Sequence, residues 1–265
     1  MNDDKKYVVT GANQGIGLAT AIRLAGDGAT VIILSKESAD MSTICGQIAE
    51  NGGNPVFINT DIRSEESIAN AVRQLDGFDV IDGFINCAAV VNLSTTLEIT
   101  TQKLDLMNAV NARAPFLIAK HLHSKLKNAE NPNIMMVSPP VNLDERWLSA
   151  HLPYTASRYL ASICANGLAL EFSHYGIKVN TVWPRYSIAA PGICNIINGT
   201  YGDMNSMRRK PDIMADAIAI MMQNEELTGQ NLIDEQVLLD AGIEDLDIYR
   251  IDETQNTLYP SEFIS

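Results

Sequence analysis

Two residues one helical turn apart offer acid–base chemistry. Tyr154 and Arg158 lie in the stretch YTASR, and Ser138 stands 16 residues before the tyrosine. A tyrosine hydroxyl is a weak acid, since its ordinary pKa is about 10. A cation at i+4 lies on the same face of a helix and favours the phenolate. The pair therefore predicts proton transfer to or from an oxygen atom, with the Ser138 hydroxyl as a second donor to that oxygen.

A glycine-rich turn near the start of the chain predicts where a dinucleotide phosphate binds. The turn follows the apolar run YVVT, reads TGANQGIG over residues 10–17, and leads into an amphipathic segment. Gly11 permits the tight turn, Gly15 lets the backbone approach a pyrophosphate, and Gly17 lets the helix pack on the strand. The first N–H groups of the helix then favour negative charge. The alternative is a turn that serves packing alone. Combined with the Tyr154 pair, the turn gives the layout of a hydride-transfer enzyme.

The end of the second apolar run bears on the choice between the two nicotinamide cofactors. A carboxylate there would bind the adenosine ribose hydroxyls and repel a 2′-phosphate. The chain has Ser35 and Lys36 instead, and a hydroxyl beside an ammonium suits a 2′-phosphate. Gln14 weakens this inference, because a basic residue in the turn would help more, and Lys36 is equally acceptable as a solvated surface residue. We expect NADP, with NAD as the alternative.

The composition limits the classes of partner. A chain of 265 residues is long enough for one domain with a full core. Its formal charge of −13 disfavours nucleic acid and anionic membranes, which attract a basic face. The polar start MNDDKK, with no apolar run near about 18 residues, predicts a cytoplasmic protein without signal peptide or membrane span. Four scattered cysteines predict free thiols and no metal site.

Short apolar runs alternate with longer segments of helical period along the chain. This order predicts a Rossmann-type α/β fold, with a doubly wound parallel sheet of about seven strands and helices on both faces. The runs are rich in Val and Ile, as expected for strands buried on both sides. The predicted strands are 5–10, 29–34, 55–60, 80–86, 132–138, 177–183 and 229–233, and the predicted helices are 15–27, 39–51, 65–76, 101–128, 153–175 and 211–223.

Two segments fall outside this alternation and are assigned to the same single domain, residues 1–265. Residues 184–210 hold several prolines and glycines, and a long irregular stretch in a compact domain is often a lid or a binding loop. The tail, about 235–265, ends in the sequence YPSEFIS, whose aromatic residues predict that it packs on another surface. Apolar residues such as Trp147 are consistent with a hydrophobic substrate, although core packing explains them equally well.

Taken in order, these motifs resemble those of the short-chain dehydrogenase/reductase family over nearly the whole chain. The matching strings are TGxxxGxG at 10–17, Asp61-Ile62, Asn86-Cys-Ala-Ala89, Asn111, Ser138 and Tyr154-x-x-x-Arg158. Finer strings, SPPVNL at 138–143 and VWPR at 182–185, are similar to the hydroxysteroid-dehydrogenase-like branch. The resemblance implies an oxidoreductase that uses NADP(H), or NAD, to interconvert a carbonyl and an alcohol on an apolar small molecule.

The resemblance also implies a role for each matching residue. Tyr154 would be the acid or base, Ser138 would hold the substrate oxygen, and Asn111 would position a water. Arg158 would complete this catalytic set by stabilising the phenolate. The implied cofactor contacts are Gly11, Asn13, Gln14, Gly15, Ile16, Gly17, Ser35, Lys36, Asp61, Ile62, Asn86, Ala88, Pro184 and Ile188.

The family further implies a homodimer or homotetramer, assembled through the helices near 101–128 and 153–175. The second of these helices carries many small residues, which permit close approach of another helix. Packing within one chain is the alternative explanation of those small residues.

The catalytic cation departs from the family pattern, because Arg158 stands where the family usually has a lysine, and Cys87, Ala89, Tyr186 and Ala190 depart from the pattern as well. A lysine ammonium both hydrogen-bonds the nicotinamide ribose and passes protons onward. A guanidinium keeps the charge and several donors but does not deprotonate, so the proton relay should be impaired. The alternative function is therefore a cofactor-binding protein with little or no turnover, acting as a sensor or an assembly partner.

Overall fold

A parallel seven-stranded sheet organises the parts of the chain that this computed structural model describes, residues 5–191, 204–255 and 257–264. Its hydrogen-bonded order is β3-β2-β1-β4-β5-β6-β7, so the winding reverses between β1 and β4. This order confirms the predicted doubly wound sheet. The strands are β1 (Lys6–Thr10), β2 (Thr30–Ser35), β3 (Asn54–Asn59), β4 (Gly83–Asn86), β5 (Asn133–Val137), β6 (Lys178–Trp183) and β7 (Asn231–Ile233).

Helices connect the strands and cover both faces of the sheet. They are α1 (Gly15–Ala25), α2 (Met41–Glu50), α3 (Glu65–Arg73), α4 (Thr101–Asn108), α5 (Ala114–Leu126), α6 (Glu145–Ala150), α7 (Leu152–Phe172), α8 (Asp212–Gln223) and α9 (Asp234–Asp240). A π-helical turn at Ala109–Arg113 joins α4 to α5 within the single helix predicted over 101–128. Short 3₁₀ turns lie at Ser173–Tyr175, Asn205–Met207 and Asp247–Tyr249.

Two apolar cores lie on opposite faces of the sheet. Successive side chains of a strand point to opposite faces, so Val9 of β1 joins one core and Val8 the other. The first core forms against α1, α2 and α8, and the second against α3, α5 and α7. Burial on both faces explains why β2 reads as the unbroken apolar run TVIIL.

The reversal of strand order opens a crevice at the carboxyl edge of the sheet. Thr10 and Asn86 pair at the ends of β1 and β4, and Thr10 Oγ1 donates to Asn86 Oδ1 at 2.8 Å. In open α/β sheets, ligands bind in this crevice. The fold therefore brings the glycine-rich turn after β1 next to the segment that follows β4.

The C-terminal tail packs onto the same carboxyl edge. Pro260 forms an antiparallel bridge with Tyr186, and Phe263 is fully buried. The Phe263 ring contacts five other aromatic rings, those of Trp147, His151, Tyr154, Tyr159 and Trp183. The tail thus packs as its aromatic residues predict. Residues 192–203, in the middle of the predicted lid 184–210, lie outside the described residues. Among the described residues, no helix is both long and apolar enough to cross a membrane.

Candidate active site

A cavity of about 990 Å³ lies at the carboxyl edge of the sheet. It runs from the glycine-rich turn and the ends of β2 and β3 to the face of α7 and the C-terminal tail. The residues proposed from the sequence that line it are Gly11, Asn13, Gln14, Gly15, Ile16, Gly17, Ser35, Lys36, Asp61, Ile62, Ala88, Tyr154, Arg158, Pro184 and Ile188. The fold therefore brings the cofactor candidates and the tyrosine–arginine pair to one space.

Steric limits at the glycine-rich turn leave no room for side chains. Gly11 has φ +70°, and a Cβ there would lie 2.7 Å from the backbone nitrogen of Ala88. A Cβ on Gly17 would lie 2.2 Å from the Gly11 carbonyl oxygen. Gly15 has φ +55°, and its Cβ would meet Ala190 at 2.8 Å. These contacts explain why three glycines share this turn.

The start of α1 is suited to an anion. Gln14 precedes the helix in an extended conformation, its side chain caps no N–H group, and the first turn has no acidic residue. The N–H groups of the first turn, at residues that line the cavity, therefore remain open to a phosphate. This geometry fits the pyrophosphate of a dinucleotide.

The adenosine end of the cavity holds two cations around one carboxylate. Lys36 Nζ lies 3.0 Å from Asp61 Oδ2, and Arg63 binds both Asp61 oxygens through Nε at 2.9 Å and Nη2 at 2.6 Å. The Arg63 guanidinium holds the pKa of Asp61 well below its usual range. Ser35 Oγ donates to the Lys36 carbonyl at 3.2 Å. Sequence reasoning missed Arg63, although it follows the Asp61-Ile62 motif directly.

Tyr154 and Arg158 lie on one face of α7, and each is 2% exposed. The guanidinium carbon of Arg158 lies 5.1 Å from the centre of the Trp183 ring, and its Nη2 donates to the Val137 carbonyl. Burial raises the pKa of Tyr154 to about 12, and the positive charge of Arg158 opposes this rise. Burial also lowers the pKa of Arg158. The tyrosine therefore keeps its proton at neutral pH beside a cation that would stabilise the phenolate.

The Ser138 hydroxyl does not face the cavity. It donates to the Arg158 carbonyl at 3.1 Å and lies 2.7 Å from Ser162 Oγ. Ser162 Oγ in turn donates to the Pro139 carbonyl at 2.6 Å. These bonds join the end of β5 to α7. Ser138 is not among the residues that line the cavity, so its hydroxyl is not placed to hold a substrate oxygen there.

The Asn111 side chain also makes contacts away from the cavity. Its amide donates to the Val90 carbonyl at 2.9 Å and to Ser157 Oγ at 3.0 Å, and it accepts from the Val90 N–H at 2.7 Å. Ser157 Oγ donates to the carbonyl of Tyr154 at 2.8 Å. Asn111 thus holds the segment after β4 against the catalytic helix. Asn86 does not line the cavity either, because its side chain accepts from Thr10 instead.

Two further titratable residues line the cavity beside Tyr154. Glu262 Oε1, from the C-terminal tail, lies 3.6 Å from His151 Nε2. Burial raises the pKa of Glu262 to about 7, although Arg158 opposes that rise, and burial lowers the pKa of His151. Sequence reasoning missed Glu262 and assigned no role to His151. The only sequence signal was the aromatic content of the tail.

The described cysteines add neither a thiolate nucleophile nor a metal site. Burial raises the pKa of the Cys87 thiol to about 12, so it is protonated at neutral pH. Cys45, Cys87 and Cys164 form no disulfide, and Cys194 lies outside the described residues. In the described ranges, no group of three or more His, Cys, Asp or Glu residues is placed to hold a metal ion.

Curated proteins with similar sequences are longer than this chain. Hydroxysteroid dehydrogenase-like protein 2 of Xenopus laevis is 36% identical over 252 residues, which cover 92% of this chain and 60% of that protein. The human protein of the same name is 35% identical over 265 residues, covering 97% of this chain and 62% of that protein. The chain thus spans about three-fifths of the length of these relatives.

Two solved structures match over nearly their full length. A putative dehydrogenase from Xanthomonas campestris is 36% identical with a TM-score of 0.93, covering 99% of this chain and 98% of that one. A short chain dehydrogenase from Mycobacterium thermoresistibile is 32% identical with a TM-score of 0.91, covering 100% and 96%. A sequence model of the short chain dehydrogenase family matches residues 5–189. The chain therefore belongs to the short-chain dehydrogenase family, whose members are oxidoreductases acting on CH–OH groups.

Proposed function

We propose that the protein is an NADP(H)-dependent oxidoreductase that interconverts a carbonyl and an alcohol on an apolar small molecule. One observation carries this proposal: the buried Tyr154–Arg158 pair and the uncapped glycine-rich turn line the same cavity. The proposal treats residues 1–265 as one dinucleotide-binding domain. The chain matches only part of its curated relatives, so the proposed activity is that of this domain.

Tyr154 supplies the acid–base chemistry in this proposal. Its hydroxyl keeps its proton at neutral pH and donates it as negative charge develops on the substrate oxygen. Arg158 then stabilises the phenolate electrostatically, from one turn further along α7. A nicotinamide cofactor, when bound, supplies or accepts the hydride. In alcohol oxidation, the tyrosine acts in the opposite sense and takes the hydroxyl proton.

We infer that Ser138 and Asn111 act as positioning residues. Ser138 fixes the start of the loop after β5 against α7, and Asn111 fixes the segment after β4 against the same helix. Both interactions hold the helix that carries the tyrosine. Tyr154 lines the cavity, so this proposal makes its hydroxyl the donor to the substrate oxygen.

Charge at the adenosine end supports NADP over NAD. Lys36 and Arg63 carry two positive charges, and Asp61 neutralises one of them. All three residues line the cavity, and their side chains are partly exposed. A 2′-phosphate would meet a net positive site with the Ser35 hydroxyl beside it. We expect NADPH to bind more tightly than NADH, and we expect Arg63→Ala to abolish this preference. Equal affinities for the two cofactors would overturn it.

The lining of the cavity supports an apolar substrate. Much of it is aliphatic or aromatic, and it includes Val91, Leu106, Val110, Trp147 and Ile264. Such a wall stabilises apolar groups by removing them from water and gives few hydrogen bonds to a polar substrate.

Consumption of NADPH with a panel of apolar aldehydes and ketones tests the proposed function. Tyr154→Phe should lower turnover by about 100-fold or more, because it removes the proton donor and leaves the ring in place. Tyr159→Phe is the matched control, since that hydroxyl bonds to the Asn142 carbonyl and the residue does not line the cavity. Binding of NADPH without turnover of any compound would instead support a cofactor-binding protein, the alternative that Arg158 suggests.

A further inference from the structure

The C-terminal tail brings a carboxyl group into the catalytic end of the cavity. Glu262 lines the wall together with His151, Tyr154 and Arg158. Its side chain is 26% exposed, so the carboxyl is largely removed from bulk water yet still reaches solvent through the cavity. A carboxyl in this position can both hold a proton and exchange it.

Several contacts fix Glu262 at this place. The Trp183 indole donates to the Glu262 carbonyl at 2.7 Å, and the Ser261 N–H donates to the Arg185 carbonyl at 3.1 Å. The next residue, Phe263, is buried with φ 69°, a conformation that L side chains rarely adopt. Such a conformation costs on the order of 1–3 kcal/mol, persists where the surroundings impose it, and clusters at functional sites. The tail is therefore held in one arrangement by its packing.

The cavity wall that holds Glu262 also carries the charged or titratable groups Arg158, Tyr154, His151 and Arg146. Arg158 favours its ionised form, and the carboxylate in turn opposes ionisation of Tyr154. His151 lies 3.6 Å away, and burial favours its neutral form. Arg146 lines the same cavity but pairs with Asp144 at 2.9 Å. Among these groups, the Glu262 carboxyl is the one whose pKa, at about 7, lies at neutral pH.

We propose that Glu262 is the residue that exchanges protons with Tyr154 during turnover. This inference rests on the proposed function. A guanidinium does not deprotonate, so Arg158 stabilises charge without passing a proton on. Glu262 lies close enough to Tyr154 for their charges to interact, and a water molecule in the shared cavity would carry the proton between them.

The proton balance of this step involves no electron transfer. In carbonyl reduction, the Tyr154 O–H bond breaks as its proton passes to the substrate oxygen. The phenolate then takes a proton, through the water, from the Glu262 carboxyl. The resulting carboxylate takes a proton from solvent, so one solvent proton ends on the product. In alcohol oxidation the same proton travels in the opposite direction.

The test is Glu262→Gln in the full chain, with NADPH and a carbonyl that the unmodified protein reduces. Glutamine keeps the size and the backbone contacts but holds no exchangeable acid proton. We expect kcat to fall by about 10- to 100-fold, with KM and NADPH affinity unchanged. The rate of the unmodified protein should depend on pH near pH 7, and the rate of the variant should not. Glu262→Asp should restore part of the rate. Glu244→Gln, at an exposed carboxyl, is the control and should change nothing.

A second measurement does not depend on turnover. The infrared difference spectrum between the unmodified protein and Glu262→Gln isolates the C=O band of the protonated Glu262 carboxyl. The intensity of this band reports the protonation of that one group. We expect the band to titrate near pH 7 without cofactor. A carboxyl that titrates at the ordinary value of about 4.3 would overturn the inference, even if the variant failed to fold well enough for kinetics.

The outcomes separate the two proposals. An active protein whose Glu262→Gln variant keeps the same rate and pH profile overturns the proton-exchange role and leaves the proposed function intact. A protein that binds NADPH but reduces no carbonyl overturns the proposed function, and the role of Glu262 falls with it.

Discussion

The guanidinium of Arg158 occupies the position of the family's lysine in an environment that accepts a planar cation. It stacks over the Trp183 ring at 5.1 Å and donates to the Val137 carbonyl. An ammonium offers no flat face for stacking and concentrates its charge on one nitrogen. The surroundings of Arg158 therefore suit the flat shape and the donors of a guanidinium as well as its positive charge.

Replacing Arg158 by lysine should reduce stability without raising turnover. The variant loses the stacked contact and the guanidinium bond to Val137, which together stabilise the fold by about 1–2 kcal/mol. Turnover should stay equal or fall, because Glu262 already supplies the exchangeable proton. Thermal unfolding and kcat measure the two effects. Arg146→Lys, at an exposed arginine that lies over the half-buried Trp147 ring, is the control and should change little. A rise in kcat for Arg158→Lys would show that the arginine limits the enzyme.

The spacing of residues along the chain predicted the part of the site that lies on one helix. It could not predict the parts that depend on tertiary packing. An i+4 pair such as Tyr154 and Arg158 shares a face in any helix, so the sequence alone places the two together. The direction of the Ser138 hydroxyl depends on the helix packed against it, which spacing does not encode. Glu262 lies more than 100 residues after Tyr154, and tertiary contacts of the tail, including the burial of Phe263, bring it into the cavity.

At the scale of elements, the contact between α1 and the turn before it sets the shape of the phosphate site. Gly17→Ala would place a methyl group 2.2 Å from the Gly11 carbonyl oxygen. We expect a loss of about 1–3 kcal/mol in the free energy of unfolding, because backbone must move to relieve the overlap. Because the turn shifts, NADPH affinity should fall by about tenfold or more.

Gly46→Ala is the matched control for this change. Gly46 is also helical, in α2, but an added Cβ would meet nothing within 4 Å. Alanine is the better helix former there, so stability should rise by roughly 0.5–1 kcal/mol with NADPH affinity unchanged. Thermal unfolding and a fluorescence titration with NADPH measure both variants. Similar behaviour of the two variants would contradict the steric account of the turn.

The elements that the sequence predicted best are those with a long apolar signal. All seven predicted strands are present, since strands buried on both faces read as apolar runs. The predictions missed α6 and α9, which span six and seven residues and are too short to show a helical period. The π-helical turn at Ala109–Arg113 has no sequence period of its own and was predicted as ordinary helix.

At the scale of the whole molecule, one apolar stripe on α7 is left exposed by the described residues. Leu160, Ile163 and Leu170 are 46%, 57% and 77% exposed, and their spacing places them on one helical face with Gly167. An exposed apolar face of this kind favours contact with another molecule. We propose that the stripe joins two copies of the chain, as expected for a homodimer or homotetramer.

Ile163→Glu should therefore yield monomers. The carboxylate would be buried against an apolar surface in the assembly, which disfavours association and leaves the monomer fold unaffected. Light scattering coupled to size exclusion gives the mass of each form. Ile248→Glu, at another exposed isoleucine outside α7, is the control and should keep the mass of the unmodified protein. An unchanged mass for Ile163→Glu would remove this helix from the interface.

Asp234 should make folding stability depend on pH between about 4 and 7. Its Oδ1 accepts from the Arg185 and Glu235 N–H groups at 2.8 Å each, while Oδ2 is buried without a partner among the described groups. Burial raises its pKa to about 7, against an ordinary value of 3.8. Between these values the unfolded chain loses the proton and the folded chain keeps it, so the contribution of Asp234 to stability falls as pH rises.

Asp234→Asn should remove this dependence. The amide oxygen keeps both backbone bonds and carries no charge, so the variant should be more stable at pH 8 by an amount on the order of 1–3 kcal/mol. Near pH 4 the variant and the unmodified protein should be close in stability. Urea unfolding across this range tests the expectation, with the exposed Asp105→Asn as control. If the free energy of unfolding of Asp234→Asn changed with pH in the same way as that of the unmodified protein, the expectation would be wrong.

The path of the tail has a practical consequence for handling the protein. Ile264 is itself part of the cavity wall, whereas β1 enters the sheet at Lys6, on the edge opposite the carboxyl ends of the strands. A bulky label coupled at Ile264→Cys would therefore start beside the cavity and disturb ligand entry. The same label at Lys6→Cys would sit across the sheet from the cavity, so labels for binding assays belong at that edge.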